Sequence, residues 1–369
     1  MKNVGIITFH FVENIGASLQ CVALSHTLET LGYKSYVIDY KPEYHTSKYA
    51  IIKNPFSELI SGKPLFKALK GTLKQLILLY KIPKLYAKKK KFQNFMQKNI
   101  RTTREFRTIE ELSEANNVID VCVAGSDQIW NAMYTNGGLD SAYLMAFFDG
   151  PKYTYAVSAG TTIDENDLSD NIDKLNRINK LSVRENALKK QLLEHGIQST
   201  MVLDPTFLMK KQDWDLLRNP KRSYGYKYIL VYALEQDERL NLVLHRLLEQ
   251  TGYQVIDISP RNFVKGEKCR RVKDCGPVEF INYIANASYI VTNSFHGTVF
   301  SIIYEKNFFT IPHSKTPDRV VDLLDTLEIR NRLIKEGNFN DIQTQIDYEK
   351  VNAQLDKYRN DSLEFLKQM

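Results

Sequence analysis

Two open α/β units, each built on a parallel sheet and joined by a linker, are expected from this chain of 369 residues. Three observations lead there. Short β-branched apolar runs alternate with helical patterns along most of the length, as βαβ units require. The alternation stops at a polar stretch, residues 210–227, and then begins again. The length is sufficient for two cores. Hydrophobic content of 43% and charged content of 25% belong to soluble globular proteins. No apolar run approaches the roughly 18 residues of a membrane span.

The elements follow in order. Residues 4–9 form a first buried strand. The run is too short for a signal-peptide core and lacks a small-residue cleavage site, so the cytoplasm is the expected compartment. Residues 17–31 form a helix that Gly32 ends, and 35–39 a second strand. A basic insertion at about 42–108 then breaks the rhythm. No acidic residue lies between Glu58 and Glu105, while thirteen lysines and arginines run from Lys63 to Arg104. The net charge of +7 therefore leaves the remainder at −6, so the basicity is a patch. Leu65, Leu69, Leu73, Leu76, Ile77, Leu78 and Leu79 interleave with lysines at helical spacing. Such a helix suits an anionic membrane surface, reached through residues 63–104, or else presents a solvated lysine face. No nucleic-acid-binding pattern accompanies it.

Strands are expected at 118–123, 153–158, 180–183 and 200–203, with a helix at 185–195 closed by Gly196. After the linker, strands at 228–234, 254–258, 289–292 and 308–311 alternate with helices at 237–250, 277–287 and 297–304. Gly252 stops the first of these helices and Pro277 opens the second. Residues 348–367 form an amphipathic helix. The organisation is thus 1–209 with its insertion, 210–345, and a terminal helix at 346–369 expected to pack back on the first unit.

Chemistry collects at strand ends. Residues 291–298 (VTNSFHGT) read as a buried strand that breaks into a turn at a helix start. Free N–H groups and partial positive charge there suit an anion. Ser294, Gly297 and Thr298 are candidate donor-binding residues, and His296 can deliver a proton beside them. Lys315 follows the next strand and reaches the same cleft if the two strands are neighbours. Residues 14–20 lie between the first strand and helix, where Asn14 and Gln20 offer neutral hydrogen bonds for sugar hydroxyls, or simply cap the helix. The segment lacks the GxGxxG spacing of a dinucleotide site. In residues 124–131, Asp127, Gln128 and Asn131 suit hydroxyls and Trp130 a sugar face, with an Asx turn and a core tryptophan as the alternative. Arg184 offers a bidentate contact to phosphate or carboxylate, or pairs with Glu185. Asp204-Pro205-Thr206 reads first as a turn and hinge, with Asp204 lining the cleft as the alternative. The four cysteines show no zinc spacing, and Cys21 and Cys122 read as small core hydrophobes. No cluster has metal-ligand spacing, so neither metal nor cofactor is expected.

Taken together, Asn14-x-Gly16-Ala17-x-x-Gln20, Gly125-Ser126-Asp127-Gln128-x-Trp130-Asn131, Ser182-Val183-Arg184-Glu185, Leu203-Asp204-Pro205-Thr206 and Ser294-Phe295-His296-Gly297 resemble the polysaccharide pyruvyl transferase family. They occur in the family's order and span residues 4 to about 312, leaving out the insertion and the last helix. The resemblance implies two Rossmann-like domains facing a cleft, similar to the GT-B glycosyltransferase fold. It implies phosphoenolpyruvate as donor and a sugar, often lipid-linked, as acceptor at the inner face of the membrane. The product would be a cyclic pyruvate ketal in capsular or exopolysaccharide biosynthesis. It also implies a histidine and basic residues around the donor, here His296, Arg184 and Lys315. Ser294 stands where some members carry an arginine, so one donor contact has to come from elsewhere. A glycosyltransferase with a nucleotide-sugar donor and a non-catalytic sugar-binding protein remain alternatives.

Overall fold

The computed structural model describes residues 1–46, 65–219, 224–264, 269–335 and 345–369, with backbone alone for 65–81. The apolar stripe expected from Leu65 to Leu79, and part of the expected linker, lie outside the described side chains.

The first half is an all-parallel sheet. Strands β1 (Asn3–Ile7), β2 (Lys34–Tyr40), β3 (Thr102–Phe106), β4 (Val121–Ala124) and β5 (Lys152–Thr154) take the spatial order β3-β2-β1-β4-β5. Helix α1 (Ile15–Thr30) connects β1 to β2, and α2 (Leu65–Asn99) lies between β2 and β3. Strands β6 (Ser182–Val183) and β7 (Thr200–Met201) continue beyond β5 through a Tyr153–Lys180 bridge, with α3 (Asn186–Glu194) between them. Burial on both faces explains why β1 and β4 read as unbroken apolar runs. The end of the expected insertion is itself a strand, β3. It is an edge strand, mostly exposed, and its sequence TTREF carries no apolar signal.

The expected linker contains a helix, α4 (Lys211–Leu217). Its Trp214 is fully buried against Phe300 and donates its indole N–H to Thr206 O at 3.2 Å. The second half then repeats the order of the first. Strands β8 (Tyr228–Tyr232), β9 (Gln254–Asp257), β10 (Cys269–Arg271), β11 (Tyr289–Thr292) and β12 (Asn307–Thr310) lie as β10-β9-β8-β11-β12, all parallel. Around them pack α5 (Glu238–Thr251), α6 (Pro277–Asn286), α7 (Phe295–Ile303) and α8 (Asp318–Thr326). The glycines read as helix stops, Gly32, Gly196 and Gly252, have φ of 89°, 75° and 64°.

Helix α9 (Tyr348–Lys367) returns to the first half. Its Ser362 hydroxyl accepts from Leu203 N at 3.0 Å, and Arg359 Nε donates to Phe207 O at 2.7 Å. In the opposite direction, Lys91 of α2 reaches Asp274 at 2.8 Å and Glu279 at 3.0 Å. One buried apolar cluster runs from Val4 and Leu24 through Phe92 and Phe95 to Phe280, Phe300 and Leu366, so the two sheets share a core. The strand order reverses direction between β1 and β4 and again between β8 and β11. Open α/β sheets bind ligands outside the strand carboxyl ends at such points. Among the described residues, no helix is long and apolar enough to cross a membrane. All four cysteines are free, with Cys21, Cys122 and Cys275 buried.

Candidate active site

Loops leaving β1, β4, β8, β11 and β12 converge on a cleft of about 100 Å³. The turn after β11 builds its centre. Thr292 Oγ1 donates to Tyr232 O at 2.5 Å and accepts from Ser294 N at 3.0 Å. Asn293 ties the turn to the end of β8, accepting from Leu234 N at 2.7 Å and donating to Glu235 O at 2.9 Å. Ser294 caps α7 by accepting from Gly297 N at 3.3 Å. These bonds set His296 in the first turn of α7, lining the cleft and only 8% exposed.

The imidazole touches both halves of the protein. On its Nδ1 side lies Gly16 of α1, so close that a Cβ there would collide with the ring. On the other side Nε2 stands 3.7 Å from Asp204 Oδ2 and has no hydrogen-bond partner. Asp204 is a hub. It pairs with Arg184 at 2.6 Å and accepts from Thr206 N at 3.0 Å and Thr206 Oγ1 at 2.6 Å. Burial raises the Asp204 carboxyl, yet His296 and Arg184 together hold it below its ordinary value. Burial pulls His296 below the usual histidine value; Asp204 opposes the shift and Arg184 adds to it. The ligand-free ring is therefore neutral at pH 7.

The first half lines the cleft with neutral groups and one carboxylate. Asn14 caps α1, accepting from Ala17 N at 3.2 Å. Asn131 Nδ2 donates to Gln128 Oε1 at 2.8 Å, so these two amides fix each other. Asp127 has φ of 79°, a left-handed conformation for a non-glycine residue, and accepts from Gln128 N at 2.8 Å. Local strain of this kind clusters at functional sites. The second half supplies Ser294, His296, His313, Lys315 and Arg319. Glu235 anchors the loop after β12, accepting from Ser314 N and Ser314 Oγ, both at 2.6 Å. That anchoring is what carries the exposed Lys315 to the cleft rim.

Five sequence-predicted residues fall elsewhere. Trp130 is a core residue, 2% exposed, and donates to Tyr143 O at 3.3 Å, so it offers no face to a sugar. Gln20 is fully buried and donates to Thr8 Oγ1 at 3.1 Å and Ala17 O at 3.0 Å. Gly297 packs against Thr292, where a Cβ would collide, and its N–H is taken by Ser294. Thr298 spends its hydroxyl on Ser294 O at 3.2 Å and Thr310 Oγ1 at 2.9 Å. The anion-binding N–H groups expected at Gly297 and Thr298 are thus engaged by the cap itself. Arg184 lies behind the cleft wall, 6% exposed, and is not among the lining residues.

Three further residues shape the site. Gly16 makes room for His296. Asp204 belongs to the expected turn and also faces the imidazole. Arg319, at the start of α8, carried no motif at all; only its position four residues beyond Lys315 hinted at the cleft.

The cleft does not stand alone. A cavity of about 510 Å³ opens at the ends of β1 and β2 under α2, lined by His10, Phe11, Asp39, Lys41, Lys89, Phe92 and Gln97 among others. Both ring nitrogens of His10 face protein oxygens, Thr8 O at 3.2 Å and Asp39 Oδ1 at 2.7 Å, so the ring is held within the first half. A smaller space of about 90 Å³ shares Glu13 and Phe92 with this cavity, and Asn14, Tyr232 and Leu234 with the His296 cleft. The three spaces thus lie next to one another, the largest within the first half and the two smaller ones lined by both halves. Among the described residues, no group of three or more His, Cys, Asp or Glu side chains is placed to hold a metal ion.

The sequence profile of the polysaccharide pyruvyl transferases matches residues 14–315. No curated protein matches the sequence as a whole. Among solved structures, the S. aureus MnaA–UDP co-structure is 11% identical with a TM-score of 0.51, covering 97% of this chain and 88% of that one. A candidate UDP-N-acetylglucosamine 2-epimerase from Listeria monocytogenes is 10% identical with a TM-score of 0.50, covering 100% and 90%. The Streptomyces glycosyltransferase SsfS6 bound to thymidine diphosphate is 10% identical with a TM-score of 0.45 over the full length of both chains. At these identities the likeness concerns the fold, which is of the GT-B type.

Proposed function

The chain belongs to the polysaccharide pyruvyl transferase family, and from that premise we propose that it moves the pyruvyl group of phosphoenolpyruvate onto two hydroxyls of a sugar, closing a cyclic ketal in the cleft around His296. The observation that carries this reading is a buried imidazole with an unpartnered Nε2, lining a small cleft whose second-half wall is cationic. A proton donor beside fixed positive charge is what an enol phosphate needs.

The neutral state of His296 in the free protein has a direct consequence. The donor brings negative charge next to the ring and so favours the imidazolium, which makes the donor's arrival the event that arms the acid. The imidazolium then gives its proton to the methylene carbon. The π pair of the double bond forms the new C–H bond, and C2 acquires oxocarbenium character. One sugar hydroxyl attacks C2 while Asp127 takes its proton. The bond from C2 to the phosphate oxygen breaks, and phosphate leaves with the proton held on Asp127. The neighbouring hydroxyl closes the ketal and returns its proton to His296. Atoms and charges balance without a metal or redox partner.

In this reading the reacting sugar sits beside Asn14, Asp127, Gln128 and Asn131, and the remainder of the acceptor extends towards Lys89 and Gln97. A lipid-linked acceptor would enter from the membrane side, where the basic segment 63–104 meets anionic headgroups. The test is phosphate release from phosphoenolpyruvate in the presence of a panel of nitrophenyl and lipid-linked sugars. Release that depends on both sugar and His296 is expected. Turnover of a nucleotide sugar, with phosphoenolpyruvate inert, would replace this reading with glycosyl transfer.

A further inference from the structure

The second-half wall holds a guanidinium that the scheme above leaves without a task. Arg319 lines the cleft and Arg184 does not. The two are partnered very differently. Arg184 is matched by Asp204 at 2.6 Å through Nη1, its buried Nε and Nη2 having no hydrogen-bond partner. Arg319 donates one hydrogen bond, from Nη2 to Thr316 Oγ1 at 2.9 Å, and its buried Nε has no partner. No carboxylate among the described residues is bonded to it.

Both guanidiniums lie within cation–π range of one ring, with Cζ of Arg184 at 4.8 Å and Cζ of Arg319 at 5.4 Å from the Phe295 centroid. Two like charges are thus gathered at one side chain. Glu185 lies alongside, 3.9 Å from Arg184 Nε. It is fully buried, engaged by Ser158, and pushed above its ordinary value by burial. Burial, with Arg184 alongside, brings Arg319 down to about 10. Glu185 and Asp127 favour its charge from nearby, but neither is bonded to it, and the cleft it faces is where an anion would sit.

We propose that Arg319 is the side chain that grips the negative charge of the donor, and that Arg184 is a positioning residue that fixes His296 through Asp204. The proposal rests on the donor reading given above and assigns the anion's site to the second half. Arg184, from the first half, then acts at one remove. It fixes Asp204, and Asp204 faces the Nε2 of His296.

Isothermal titration of the full chain with phosphoenolpyruvate and with inorganic phosphate separates the two roles. Arg319→Gln is expected to weaken phosphoenolpyruvate binding on the order of tenfold or more, and Arg319→Lys to restore only part of it, because an ammonium cannot reproduce the planar fork. Arg184→Lys should bind the donor within about threefold of wild type, yet move the pH limb of the rate upward as a weaker hold on Asp204 turns that carboxylate towards His296. If Arg319→Gln loses phosphate affinity in parallel, the contact is to the phosphoryl group; if phosphoenolpyruvate alone suffers, it is to the carboxylate, and either result supports the assignment. Arg319→Gln and Arg319→Lys both binding phosphoenolpyruvate as wild type does would overturn it. A wild type that binds phosphate but not phosphoenolpyruvate, with the binding lost in Arg319→Gln, would keep the anion site and sink pyruvyl transfer. A wild type that binds neither would sink both. Matching circular-dichroism melts confirm folding, and should Arg319→Gln unfold, Arg319→Lys retains the charge over Phe295 and carries the comparison.

Discussion

The two halves share one strand order, β3-β2-β1-β4-β5 in the first and β10-β9-β8-β11-β12 in the second, yet they bring opposite chemistry to the seam between them. Loops after β1 and β4 present Asn14, Asp127, Gln128 and Asn131, which are amides and a carboxylate. Loops after β11 and β12 present His296, His313, Lys315 and Arg319. The sheets set where a loop begins and leave open what it carries. Function therefore resides in a few post-strand residues, and the same scaffold used twice yields an uncharged-to-acidic jaw and a basic jaw.

That division can be broken from either side. Removing the acid from the basic jaw should cost most. His296→Ala is expected to lower kcat by about 10²- to 10⁴-fold, measured as phosphate release, with the donor still bound. In the wild type, kcat/KM should fall as pH rises through a value below the ordinary histidine one, because burial depresses the free-enzyme ring. The limb of kcat should lie at higher pH, since bound donor favours the imidazolium. Coincident limbs would remove the arming step. Next comes Gly16→Ala, a change in the opposite jaw that strikes the same ring. The added methyl displaces His296, and misplacement of about 1 Å is worth about a hundredfold in rate. A fully active variant would show that the ring need not be held there. Asp127→Asn keeps a residue that tolerates left-handed backbone while removing the base. Roughly a tenfold loss in kcat with an unchanged phosphoenolpyruvate Kd would sharpen the assignment of acceptor chemistry to the first half. Smallest is Thr298→Val, which deletes two buried hydrogen bonds. Thermal unfolding should report about 1–2 kcal/mol of lost stability, with kinetics unchanged.

What the sequence revealed, and what it hid, follows from burial. Strands β1, β4, β8 and β11 are covered on both faces, so each is an apolar run, and the motif behind each could be placed at a strand end. Edge strands β3 and β10 are wetted, their residues TTREF and CRR look like loop, and neither was legible. Spacing along the chain locates a residue but does not give the direction of its side chain. Trp130 and Asn131 are adjacent, yet one turns into the core and the other into the cleft. Gln20 and Thr298 were misassigned for the same reason: polar groups near a strand end satisfied the fold before they reached a ligand. Arg319 was not legible because its significance lies in facing the cleft with no carboxylate bonded to it, which only three-dimensional packing can show.

The fit of Gly16 against His296 has a further meaning. The imidazole belongs to one jaw, but the backbone packed against it belongs to the other. Parting the jaws would take both Gly16 and Asp204 away from the ring, so its setting is a property of the closed pair and of neither jaw alone.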